Sequence, residues 1–167
     1  LMPEDRSLWM LLGRHAMRRS VLDLAINAFE RAVALANAPV SSWTALIEAL
    51  SAKQRYEDAA TEAGRALMLY SEDHSLAVLL AEARLKQGAD IEALRMILAE
   101  ALAQGPESIL VNHPIIDALL KLGRADEAAA IMEEQQAVLD APPKIQLRYA
   151  QALMAMGAMN QAETILT

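Results

Sequence analysis

A chain of 167 residues with 34 alanines and 26 leucines, 54% hydrophobic and only 4% aromatic, has a helix-forming composition. That balance excludes disorder as its main state. Fifteen basic residues against 22 acidic ones leave a net charge of −7, which argues against the basic stripe a nucleic-acid reader uses to displace counterions from phosphate.

The predicted elements come in pairs. A first helix is expected near 7–18, with Leu8, Leu11, Leu12 and Ala16 on one face, and a second near 22–36. The pair recurs near 42–53 and 56–70, then near 75–87 and 90–104, where Ile91, Leu94, Ile97 and Leu98 share a face. It recurs again near 113–122 and 125–139, and finally at 144–156 and from 160 onward. An alanine after each short turn marks the period: Ala25, Ala59, Ala93, Ala128 and Ala162 stand 34, 34, 35 and 34 residues apart. Thirteen residues before each stands Leu12, Leu46, Leu80, Ile115 or Tyr149. Gly88, Gly123 and Gly157 precede the last three alanines by five, where a helix end takes a left-handed residue.

Pro39, Pro106 and Pro142 fall between pairs, where proline stops one helix and opens the next. Pro114 would fall inside a helix, so that helix is expected to begin late, capped by Asn112. The resulting units are about 6–39, 40–73, 74–108, 109–142 and 143–167, the last incomplete. Leu1-Met2-Pro3 reads as a cut edge, and Ile165 and Leu166 would lie on an unclosed end, so the natural chain is expected to continue.

These residues resemble the tetratricopeptide repeat family. The first unit presents Trp9, Leu12, Gly13, Ala16, Ala25, Phe29 and Ala32 at the family's positions, with Asn37 in place of its proline. The second presents Trp43, Leu46, Ile47, Leu50, Ala59, Ala63 and Ala66, with Ser71 last. Later units keep mainly the leucine-like position and the central alanine. The resemblance implies an all-α, right-handed superhelix of helix-turn-helix repeats, whose concave surface holds peptide segments or folded partners. A carboxylate clamp that some relatives use for chaperone tails is absent, because its positions carry Met10, Arg14, Ala45, Ser75 and Leu79.

Catalytic and metal chemistry find little support. His113 and Asp117 stand four apart and share a helical face, so they could ligate a metal or act as base and orienter. No third ligand stands at helical spacing and no nucleophile is near, so the pair reads as solvated groove polarity. Asp126-Glu127 and Glu133-Glu134 are consecutive, diverge by about 100° around a helix, and cannot act as facing catalytic carboxylates. No phosphate-cradling glycine loop occurs. The absence of cysteine excludes disulfides and thiolate sites, and no apolar run approaches the roughly 20 residues of a membrane span. No catalytic residue, metal or cofactor is expected.

The ninth position of each unit, which in the family's geometry faces the groove, reads Arg14, Glu48, Glu82, Asp117 and Gln151. Glu82–Lys86 and Asp117–Lys121 are acid-before-base pairs that stabilise a helix by about 0.2–0.5 kcal/mol each. Arg14 and Arg18 are like charges one turn apart, so helix stability does not explain them. Residues 1–39 carry five basic and four acidic side chains, whereas 40–167 carry ten and eighteen, so the electropositive spot is in the first unit. Either Glu48 pairs with Arg14, or both arginines await an anionic partner.

Met132 reads as core. Met10, Met17 and Met154 could be core or adaptable groove contacts. The expected partner-binding set is Met10, Arg14, Met17, Arg18, Glu48, Glu82 and Asp117. The expected function is a non-enzymatic scaffold for a protein or peptide partner, in a bacterial assembly or secretion complex, either cytoplasmic or periplasmic. An alternative is a helical-repeat appendage of a larger enzyme such as a transferase. RNA reading by related 35-residue arrays is disfavoured by the acidic charge and the 34-residue period.

Overall fold

Caps and turns set the element boundaries in the computed structural model, which describes residues 5–134 and 143–155 together with 157, 159, 162 and 163. Asp5 opens α1 (Arg6–Arg18) by accepting a 2.8 Å hydrogen bond from the Ser7 amide. There follow α2 (Leu22–Ala34), α3 (Val40–Ala52), α4 (Tyr56–Leu69), α5 (His74–Lys86), α6 (Ile91–Ala101), α7 (Ile109–Lys121), α8 (Ala125–Glu134) and α9 (Pro143–Ala155). No strand occurs among the described residues. The last turn expected of the helix near 125–139, and most of the helix expected from 160, fall outside them.

Each helix packs on the next, and the first helices of the pairs stack as well, α3 on α5 and α5 on α7. Among the described residues the main packing joins helices one or two apart in sequence, the signature of a quasi-one-dimensional array. The fold is an α–α solenoid. One continuous apolar core runs through it from Met10 to Met132.

Within each pair the turn is the same device. The amides of Ser20 and Val21 reach the carbonyls of Met17 and Ala16 at 3.0 Å, the paired bonds of a Schellman motif. Gln54 and Arg55 repeat it on Ser51 and Leu50, Gly88 and Ala89 on Leu85 and Arg84, and Gly123 and Arg124 on Leu120 and Leu119. The left-handed residue is glycine only in the later turns. Ser20 at φ 58° and Gln54 at φ 62° adopt the same conformation with a Cβ.

The expected register needs one correction. Ala25, Ala59 and Ala128 are fully buried, but Ala93 is exposed and Leu94 is buried in its place. The buried side chain follows the left-handed residue by five in the other turns and by six after Gly88. The extra residue is accommodated by Asp90, whose carboxylate caps α6 by accepting from the Ala93 amide at 2.8 Å.

A second correction concerns α7. It begins at Ile109 and not after Asn112, with Ser108 as its N-cap and Pro114 inside. Asn112 is fully buried; its amide donates to the carbonyls of Pro106 at 3.2 Å and Ser108 at 3.1 Å. Arg95, on α6, donates its Nε–H to Asn112 Oδ1 at 2.8 Å. The side chain thus ties the start of α7 to its preceding loop and to α6, and holds a first turn that proline alone would weaken.

The first pair departs from the expected face. Leu8, Leu11 and Leu12 point outward, whereas Met10, Gly13 and Ala16 face the core. Leu46, Leu80 and Ile115, the later counterparts of Leu12, are buried because each has a helix pair before it. Among the described residues α1 has none. Trp9 and Trp43 each lie under an arginine 22 residues on, Arg31 at 5.8 Å and Arg65 at 5.6 Å from the ring centroid. That Trp–Arg stacking is a feature of the first two pairs that the sequence pattern did not reveal.

Candidate functional site

The first helices α1, α3, α5 and α7 carry the expected partner-binding set. On α1, Arg14 and Arg18 are both exposed. Among the described residues neither forms an ion pair, so Glu48, exposed on α3, does not neutralise Arg14. Met17 is half-buried against the core and stands on α1 between the two arginines in sequence. Met10 is 8% exposed and belongs to the core, which removes it as a contact for a partner. Met132 is core as expected, and Met154 is exposed.

Among the described residues, neither acid-before-base pair forms along its own helix. Glu82 on α5 accepts from Lys121 Nζ on α7 at 2.6 Å, bridging two stacked first helices. Lys86 lies 5.3 Å from the Tyr56 ring centroid. Spacing along one helix could not reveal this, because the partners come from neighbouring repeats.

Asp117 departs furthest from expectation. It is 7% exposed, not solvated, and its Oδ2 lies 2.7 Å from His74 Nε2 on α5. His113, one turn earlier on α7, approaches the same oxygen at 3.9 Å. The two imidazoles stack with centroids 4.4 Å apart and planes inclined by 27°. The third group that helical spacing failed to supply is therefore His74, the first residue of α5, delivered by the preceding repeat. Beside it a cavity of about 330 Å³ opens between the loop at 71–73, the end of α6 and the start of α7. His74, Glu72, Asp73, Gln104, Leu110 and Pro114 line it.

The adjacent acids have structural roles where they are described. Glu127 forms a two-pronged bond with Arg124 at 2.6 and 2.7 Å. That bond holds the Glu127 carboxyl below its ordinary range and raises the Arg124 guanidinium. Asp126 shares the first turn of α8, where the helix N-terminus favours negative charge. The side chains of Glu133 and Glu134 lie outside the described residues.

No protein-family model matches the chain, and no curated protein does. Among solved structures it is similar to the crystal structure of the MamA protein, with 15% identity and a TM-score of 0.54. That match covers 96% of this chain and 87% of the other. The likeness is one of fold. It places this solenoid beside a helical-repeat protein and says nothing of what either face binds. No helix among the described residues is long and apolar enough to cross a membrane.

Proposed function

We propose that the chain is a non-enzymatic interaction scaffold that holds a protein or peptide partner on the concave face made by its first helices. The observation that carries this reading is the exposed Arg14–Arg18 pair on α1, without an ion pair among the described residues and in the electropositive part of an otherwise acidic array. Two like charges one turn apart destabilise a helix slightly, so an anionic partner accounts for them better than stability does. Half-buried Met17, between them in sequence, supplies adaptable apolar contact. Glu48 and Glu82 extend the polar row along α3 and α5, with Glu82 already engaged by Lys121.

The assignment to tetratricopeptide-type repeats rests on the Trp9, Leu12, Gly13, Ala25 and Phe29 pattern, supported by the solenoid fold. The division at 6–39, 40–73, 74–108, 109–142 and 143–167 belongs to the same proposal, as does a bacterial assembly or secretion context. Site-directed photo-crosslinking in the source cell tests the choice of face. A crosslinker at Arg14 or Glu48 is expected to capture a discrete protein partner, while one at exposed Glu100 on α6 does not. Adducts from Glu100 alone would place the working surface on the second helices.

A further inference from the structure

Among the described residues, His74, His113 and Asp117 are the set whose ligand atoms converge, each lying within 4.8 Å of the others. We propose that these three residues form a binding site for a divalent transition-metal ion of the zinc class, shared between α5 and α7. Imidazole nitrogens with one carboxylate oxygen are a donor set that zinc accepts, and three protein ligands leave a position open for water or a further group.

The distances suit the ion. Ligand atoms around a tetrahedral zinc stand about 3.4 Å apart when metal–ligand lengths are about 2.1 Å. Here Asp117 Oδ2 lies 2.7 Å from His74 Nε2 and 3.9 Å from His113 Nε2, so the separations bracket that value. Shifts of less than about 1 Å bring both to it, and the stacked imidazoles must also turn so that their in-plane lone pairs converge on the ion; His74, 38% exposed at its side chain, has room to move. Asp117 is held in place by burial, and a fixed carboxylate is the better anchor for a metal. The cavity lined by His74, Glu72 and Asp73 gives an entry path from solvent with negative charge along it. A bound ion would cross-link consecutive first helices beside the Lys121–Glu82 bridge and fasten the third pair to the fourth.

Isothermal titration of Zn²⁺ into the metal-free full chain tests the site. One ion per chain is expected, weakened at least tenfold by His74→Ala and unchanged by His15→Ala, which alters the exposed histidine of α1. Absence of saturable binding, or equal binding in His74→Ala, would overturn the proposal. A readout on the unaltered chain covers the case in which a variant fails to fold. Saturating Co²⁺ should give the intense visible d–d absorption of a four- or five-coordinate site, which Zn²⁺ abolishes, and the weak band of the six-coordinate aqua ion alone would count against the site equally.

Discussion

Gly13 on α1 lies flat against the ring of Phe29 on α2: a Cβ at Gly13 would stand 2.6 Å from Cδ1 and 2.7 Å from Cζ. Phe29 is itself 1% exposed and cannot swing aside into solvent. Gly13→Ala is therefore expected to lower stability by about 1–3 kcal/mol, the usual result of overpacking. Urea unfolding followed by circular dichroism measures it, and an unchanged midpoint would mean that the two helices are not in contact at this point.

Gln54 holds a left-handed turn with a side chain, whereas Gly88 and Gly123 hold the equivalent turns without one. Gln54→Gly relieves the Cβ clash with the following carbonyl and is expected to stabilise the chain by about 1 kcal/mol, partly offset by the added freedom of the unfolded state. Gly123→Ala should act in the opposite direction. Parallel thermal melts distinguish them; equal midpoints would show that the turn conformation is not shared.

The register shift in the third pair separates two neighbouring positions. Leu94 is fully buried, so Leu94→Ala is expected to lose about 2–5 kcal/mol. Ala93→Leu, on the exposed side, should stay within about 0.5 kcal/mol of the parent. Ala59→Leu, at a buried helix contact, should lose about 1–3 kcal/mol. A large effect at Ala93 would return the register to an unbroken 34-residue spacing in that unit.

Most of the fold was legible because helical periodicity and repeat period are both local signals. The anchors at Ala25, Ala59 and Ala128 proved buried, and the described helices fall within a few residues of the expected spans, apart from α7. Two kinds of information were not local. Ala93 and Leu94 are both apolar, so composition could not say which faces inward once Asp90 had lengthened the turn. Asn112 resembles a cap by residue type, yet its partners Arg95 and Pro106 lie in other elements. The candidate site repeats the lesson. His113–Asp117 is visible along one helix, but His74 joins it from 43 residues away, across a repeat boundary. The Glu82–Lys121 bridge was hidden for the same reason.

On the proposed reading, the first-helix face binds an anionic segment of a partner protein at its Arg14–Arg18 end. Exposed charges contribute only about 0–1 kcal/mol to folding, so binding and not stability must decide it. The direct measurement is the affinity of the crosslinked partner for the parent chain and for the Arg14→Glu, Arg18→Glu double variant, each at low and moderate salt. A weakened complex with a flattened salt dependence and an unchanged helical spectrum is expected. Full affinity with the original salt dependence in the double variant would contradict it and move the partner to another surface of the solenoid.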